Sequence, residues 1–316
     1  MSPSQFLRFV DIRTKFTSML PVCLGVALSI YYFEAFNFLN TLVFFIAAAF
    51  LDFSTTAINV LIDYRTAATD AFRKEHNIIG IENIPESIVV KYIYGMLTFS
   101  FLLGMFLVFR TNLILLLIGL VCFMIGIFYT YGPIPISRMP LGELLSGPPL
   151  GFGIILIAVL INAPDQLVLD LSFNQTNFIL QGDWYALLVV FFVSLPQVLL
   201  ISNIVLANNI CDLEQDLENK RYTLAHHIGV EKSIRLYNGL TYGAYAALAI
   251  PIVFGWLPPV MIAVYATLIF VRRQVKLFNE KQIKAETFVT SVKSFLVFTF
   301  SELTLLILAI IWNIFV

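Results

Sequence analysis

WYALLVVFFVSLPQVLLISNIVLANNICDLEQDLENKR, residues 184–221, changes character part-way along. From Trp184 to Asn208 no side chain is charged, whereas six of the ten residues from Asp212 to Arg221 are acids or bases. An uncharged run of this length is enough to cross the ~30 Å hydrocarbon core of a bilayer as a helix. The stretch therefore reads as a membrane-crossing helix that delivers amides, carboxylates and then Lys220-Arg221 to one membrane surface.

The rest of the chain agrees. It is 59% hydrophobic and 12% charged, with 30 Phe and a net charge of −1, where a soluble domain carries roughly a quarter charged residues. These figures exclude a soluble protein and predict a polytopic, all-α membrane protein. Nine candidate spans are expected, at 16–33, 38–62, 92–109, 112–131, 144–162, 184–208, 236–256, 257–271 and 294–315. The eighth follows the seventh through Trp256-Leu257-Pro258-Pro259, a tight turn in which proline ends a helix. The first follows Arg8, Arg13 and Lys15 without a small-residue cleavage site, and reads as a retained helix.

With the N-terminus in the cytoplasm, the loops after spans 2, 4, 6 and 8 collect Arg65, Arg73, Lys91, Arg138, Lys220, Arg221, Arg272, Lys284 and further bases, while the opposite side keeps Arg110. The positive-inside rule thus predicts a multi-pass cell-membrane protein with a cytoplasmic N-terminus and an external C-terminus. Cys23, Cys122 and Cys211 lie in or beside spans and read as packing residues, with no disulfide framework.

Two long cytoplasmic loops open alike. After span 2 come Asn59, Asp63 and Asp70; after span 6 come Asn208, Asp212 and Asp216. On a continuous helix Asp63 lies about 40° and Asp70 about 20° around from Asn59, and the second trio falls within an arc of about 80°. Glu214 and Glu218 point elsewhere on this reading. One such cluster is as easily a solvated helix end, but two with the same geometry, four spans apart on one side, suggest two related four-helix halves plus a ninth helix. Facing carboxylates need cations, and carboxylate and amide oxygens suit Mg²⁺ together with phosphate oxygens of a substrate. Lys220 and Arg221 would be placed to bind a diphosphate, although each taken singly is equally natural as a topology residue.

These residues resemble the UbiA-type family of intramembrane prenyltransferases: N59-V-L-I-D63-Y-R-T-A-A-T-D70 its first aspartate motif, N208-N-I-C-D212-L-E-Q-D216 its second, and K220-R-Y-T-L-A225 the continuation. Within the family, the Asn-Asn opening and the Gly132-Pro133-x-Pro135…Leu141-Gly142-Glu143 segment are most similar to 1,4-dihydroxy-2-naphthoate polyprenyltransferases. Two departures stand out. Cys211 stands where many relatives carry Arg, and a Tyr-x-x-x-Lys pattern after helix 4 has Tyr131 and Arg138 as its nearest equivalents.

The resemblance implies a single integral-membrane domain over 1–316 that uses Mg²⁺. Catalytic Asp63, Asp70, Asp212 and Asp216, with Asn59 and Asn208 assisting as metal ligands, would hold a polyprenyl diphosphate. Lys220, Arg221 and Arg138 would bind the diphosphate, and an aromatic acceptor, 1,4-dihydroxy-2-naphthoate, would lose CO₂ to give a demethylmenaquinone. The site would open to the cytoplasmic side and to the lipid bilayer; nucleic acid is not an expected partner.

Other residues carry two readings each. Asp52, on the same helix face as Asn59 and roughly 10 Å deeper, is either an acceptor-side group, like Tyr131, or an interior acid kept neutral. Glu302 reads as the latter, and Gln197 and Asn203 as interhelical hydrogen-bonders. His76, His226 and His227 lack metal-ligand spacing. The segment 76–87 is a lid over the site or a structured connector. Two functional alternatives remain at this stage: another aromatic acceptor within the family, and a secondary or divalent-cation transporter. The transporter fits less well, because transport sites lie near the midplane whereas these acids emerge at the surface.

Overall fold

The computed structural model describes residues 1–12, 15–67, 72–132, 135–166, 168–173 and 175–315, without the side chains of Phe16, Phe72 and His76. Arg13, Asp70, Pro133 and the His76 ring therefore lie outside the described residues.

Among the described residues the regular elements are helices and one hairpin. A capped amphipathic turn, α1 (Pro3–Phe9), precedes α2 (Phe16–Tyr31), α3 (Phe38–Thr66), the short α4 (Ile78–Ile81), α5 (Glu86–Arg110) and α6 (Ile114–Phe128). Next, α7 (Gly142–Gly147) runs through a π-helical turn, Pro148–Gly153, into α8 (Ile154–Asn162). The strands β1 (Leu169–Phe173) and β2 (Phe178–Gly182) lead to α9 (Trp184–Cys211), α10 (Leu213–Glu218), α11 (Leu224–Ile228) and α12 (Val230–Val253). A 3₁₀ run, Pro259–Thr267, then continues as α13 (Leu268–Glu280), and α14 (Phe288–Phe315) closes the chain.

Five of these stretches are long and apolar enough to cross a membrane: α3, α5, Gly142–Asn162, α9 and α14. Shorter apolar helices occupy Thr17–Tyr31 and Ile114–Phe128. Exposed Phe109, Ile269 and Trp312 fit a lipid-facing belt. This is a multi-pass membrane protein. The expected eighth span is the 3₁₀ run and the start of α13, whose later turns carry Arg272, Arg273 and Lys276.

α9 is the central helix by its neighbours; 56% of its apolar window is buried, comparable with 61% for Gly142–Asn162 and against 28% for α3 and α5. It packs on α12, α14 and the α7–α8 unit. The last contact needs glycine, since a methyl group on Gly151 would stand 2.5 Å from the Val198 backbone nitrogen. Polar pairs lock the centre. Gln197 donates to Glu302 at 2.7 Å and accepts from Thr299 at 3.0 Å, and Asn203 donates to Thr241 at 2.7 Å. Gln197 and Asn203 are thus the interhelical hydrogen-bonders that the sequence suggests.

Two features depart from the sequence reading. Residues 163–183, between the fifth and sixth expected spans of a chain expected to be all-α, contain an antiparallel hairpin, with Leu169 opposite Gly182 and Phe173 opposite Phe178. And α3 ends at Thr66, Ala67 taking an extended ψ of 129°, so the first acidic trio does not share one continuous helix.

Candidate active site

The ends of α3 and α9 meet at one end of the bundle, and Asp63 of the first motif and Asp212 and Asp216 of the second line a cavity of about 390 Å³. Asp63 comes from the last turn of α3, and Asp212, Gln215 and Asp216 from the α9–α10 junction. Asp212 interrupts the helix as the joint, yet its N–H donates to Asn208 O at 3.0 Å and Asp216 N–H to Asp212 O at 2.7 Å. The i, i+4 stacking that the sequence suggests for Asn208, Asp212 and Asp216 survives the kink.

Lys220 and Arg221 reach this cavity through the way α10 ends. Lys220 N–H donates to Leu217 O at 3.1 Å and Arg221 N–H to Asp216 O at 2.8 Å, with Lys220 at φ +55°. This is a left-handed helix stop normally filled by glycine, and a side chain there costs about 1 kcal/mol. The reversal folds Arg221 back over its own helix. Its guanidinium donates to Asp63 at 2.6 Å and lies 3.7 Å from Asp216, so one cation spans both acidic motifs. The rim also carries Arg138, 3.5 Å from the Thr66 hydroxyl, with its backbone carbonyl accepting from Tyr222 N–H at 3.0 Å. Glu218, expected to point away, borders the cavity, while Glu214 is exposed and lines neither cavity.

Asp216 is 5% exposed. Burial pushes its carboxyl up to about 6; Arg221 and Lys284 pull it down, while Asp212 and Asp63 push it further up. Asp212 itself faces Lys284, whose ammonium lies 2.5 Å from its Oδ2 and also donates to the Asn208 carbonyl. In sequence Lys284 is one more cytoplasmic base, and nothing there singles it out.

Beneath lies a second cavity, of about 460 Å³ and largely apolar, lined by residues including Phe44, Asp52, Asn59, Phe101, Phe123, Tyr129 and Ile157. It follows α3 from Asn59 down to Phe44, roughly 22 Å of helix. Asn59 therefore stands in the lower cavity, one turn below Asp63, and its carbonyl accepts from Thr130. Tyr131 is 56% exposed and lines neither cavity; Tyr129, two residues earlier, faces the lower one. Asp52 is ion-paired. Lys15, 6% exposed, donates to its Oδ1 at 3.1 Å and to Thr56 at 2.5 Å, while Asp52 Oδ2 is buried without a partner. The segment 76–87 is docked on the bundle, with Ile79 buried and Asn77 donating to Val60 O at 2.9 Å, and it lines neither cavity.

Among the described residues no three acids, histidines or cysteines form a ready-made metal cage. The donor chemistry still fits hard cations: the carboxylates of Asp63, Asp212 and Asp216 share one cavity with the amides of Gln215 and Asn219, and their charge is met by Arg221 on the cavity wall and Lys284 outside it.

Residues 18–314 match the family model described as the UbiA prenyltransferase family. The 1,4-dihydroxy-2-naphthoate octaprenyltransferase of Bacillus subtilis (strain 168) is 29% identical over 228 residues, 71% of this chain and 66% of that relative. The match thus spans just under two thirds of the relative's length. Among solved structures, an apo UbiA homolog from Aeropyrum pernix K1 is similar at a TM-score of 0.70 and 14% identity, covering 92% of this chain and 97% of that one. A UbiA homolog from Archaeoglobus fulgidus bound to GPP and Mg²⁺ gives 0.62 and 11%, covering 96% and 99%. At such identities the structures show the fold alone.

Proposed function

Because this chain belongs to the UbiA prenyltransferase family, we propose that it transfers the polyprenyl group of an allylic polyprenyl diphosphate to 1,4-dihydroxy-2-naphthoate. CO₂ is lost, and the product is the reduced, dihydroxy form of a demethylmenaquinone, for menaquinone biosynthesis. The observation that carries this reading is Arg221 joining Asp63 and Asp216 in a charged cavity directly above a long apolar one. A charged head and a polyprenyl tail need those two compartments, one helical turn apart. The choice of acceptor rests on the relative from B. subtilis.

On this reading Asp63, Asp212 and Asp216 hold Mg²⁺, with Asp70, Asn59 and Asn208 completing the donor set. Mg²⁺ supplies Lewis-acid neutralisation of the diphosphate oxygens. Lys220, Arg221 and Arg138 take the charge that develops on the leaving diphosphate as the allylic C–O bond breaks. The apolar wall keeps water from the allylic carbon, and the ring carbon bearing the carboxylate forms the new C–C bond. That carboxylate then leaves as CO₂, its bonding electrons staying in the ring. Asp52, backed by Lys15, orients the acceptor from below, and Tyr129 takes the acceptor-side role expected of Tyr131.

The topology proposed with it is nine crossings, formed by α2, α3, α5, α6, α7–α8, α9, α12, the 259–280 stretch and α14. They make two four-helix halves plus a ninth helix in one catalytic domain. The N-terminus and the site face the cytoplasm, and the C-terminus faces outside.

The test uses purified protein in detergent with Mg²⁺, a polyprenyl diphosphate and 1,4-dihydroxy-2-naphthoate. Equimolar prenylated product and CO₂ are expected, lost by about 10²-fold or more in Asp63→Ala and Asp212→Ala. Prenylation of another hydroxylated ring, with none of the naphthoate, would remove this acceptor and keep the transferase. No diphosphate release with any ring, in folded protein, would overturn the reading.

A further inference from the structure

The loop between α13 and α14 reaches the second acidic motif through one side chain. Lys284 puts its ammonium 2.5 Å from Asp212 Oδ2 and bonds the Asn208 carbonyl, while Asn208 Nδ2 donates to that same Asp212 oxygen at 3.1 Å. The ammonium also sits 4.9 Å from the centre of the Phe288 ring. This geometry is fixed on its far side. Ile283 N–H donates to the Thr287 hydroxyl at 2.9 Å and Thr287 N–H to Ile283 O at 2.8 Å, closing a turn around Lys284. The helix it leads into, α14, is held to α9 deeper down by Glu302 and Thr299 on Gln197.

Lys284 does not line the charged cavity, whereas Asp212 does. Asp212 thus carries a cation at its back and the cavity at its front. A lysine that bound substrate phosphate would be expected on the cavity wall, with Lys220 and Arg221.

We infer that Lys284 is a positioning residue that stands in for a divalent cation at Asp212. It weakens cation binding to the empty site until a diphosphate supplies further oxygens. The inference rests on Asp212 being a cation ligand. The physical basis is charge competition: with Asp63, Asp212 and Asp216 around one cavity, an ammonium on one of them lowers the attraction for an incoming cation. It also limits their mutual repulsion while the site is empty. Coulomb competition between an ammonium and an incoming cation for one carboxylate is strong at this range, and partial exposure of Lys284 (45%) and Asp212 (19%) screens it to about tenfold.

The experiment measures Mn²⁺ binding to the whole protein in detergent without any diphosphate, counting free Mn²⁺ by its EPR signal. Lys284→Gln is expected to bind Mn²⁺ about tenfold more tightly. Lys284→Arg, which keeps the charge, should match wild type. So should Lys281→Gln in the same loop, where the lysine pairs with exposed Glu286 at 3.0 Å. In an Asp212→Asn background the effect of Lys284→Gln should vanish, because the competition acts through that carboxylate. A loop with a merely structural role would not produce this pattern. Unchanged or weaker binding in Lys284→Gln overturns the inference, as does a gain that persists in Asp212→Asn. Wild-type protein that binds no Mn²⁺ overturns the cation reading of the site and this inference with it, whereas wild-type binding with an unresponsive Lys284→Gln overturns this inference alone.

Discussion

Replacing Arg221 by glutamine tests whether the two acidic motifs are held together by charge. The guanidinium spans Asp63 at 2.6 Å and Asp216 at 3.7 Å, with side-chain exposures of 27% for Arg221, 36% for Asp63 and 7% for Asp216. A fully buried pair loses ~3–5 kcal/mol when one partner is removed, and an exposed one ~0–1. This site lies between those limits, so Arg221→Gln should destabilise the cation-free protein by about 1–2 kcal/mol at pH 7.5. The pH dependence has a definite sign. Burial already raises the Asp216 carboxyl to about 6 against the opposing pull of Arg221, and losing the guanidinium moves it higher still. At pH 5 Asp216 is therefore neutral in both proteins and needs no partner; at pH 7.5 it is charged in wild type and must be neutralised. The stability difference should be present above about pH 6 and shrink below it. Millimolar Mg²⁺ at pH 7.5 should also close the gap, by supplying the missing positive charge. Thermal melts in detergent at pH 5.0 and 7.5, with and without Mg²⁺, read all of this. A destabilisation that is equal at the two pH values and indifferent to Mg²⁺ would refute the electrostatic account and make Arg221 a packing residue.

Three further outcomes are expected. Divalent-cation affinity should be about tenfold weaker at pH 5.0 than at pH 7.5, because protons compete for an Asp216 carboxyl titrating near 6; Mn²⁺ titrations at the two pH values check it. Lys220→Gly should relieve the left-handed strain at φ +55° and raise stability by about 1 kcal/mol, while raising the KM for the polyprenyl diphosphate. Kinetics and melts on the same preparation separate the two effects. Asp52→Asn should leave Lys15 without its ionic partner, at ~1–3 kcal/mol. It should raise the KM for the aromatic acceptor and leave that for the diphosphate unchanged, which initial rates with each substrate varied in turn would show.

The helices were legible in the sequence where hydrophobicity alone forms them. The uncharged run 184–208 becomes the central helix, and the apolar stretches near 38–62, 92–109 and 294–315 become α3, α5 and α14. The ends of two of them extend further than any hydropathy reading allows: α5 begins at Glu86 and α14 at Phe288. Polar turns continue a helix once it has left the hydrocarbon, without an apolar signal to mark them. The hairpin at 169–182 was not legible. Its two five-residue strands expose Phe173, Phe178 and Leu180, so they lack the half-buried alternation by which a short strand is recognised. The end of α3 at Thr66 was missed for a related reason, since Arg65-Thr66-Ala67 contains neither proline nor glycine to stop a helix.

The site divides along a different line. Periodicity on one helix found Asp212 and Asp216, and the likeness of the two motifs put Asp63 opposite them, because both signals are local. What each acid pairs with is a tertiary fact. Lys15 and Lys284 read as topology charges, since a lysine beside a span has the same sequence signature whether it faces water or an aspartate 37 or 72 residues away. Tyr131 was chosen over Tyr129 by pattern. Both follow the end of α6 at Phe128, in a turn where no sequence period says which side chain faces the cavity, and only packing decides it. Lys220 shows the limit most clearly. Its place after the acids is plain in the sequence, but its value depends on a residue other than glycine accepting a left-handed φ of +55°. That strained turn carries Arg221 back to both motifs, and a helix running on through Lys220 would have carried it away from them.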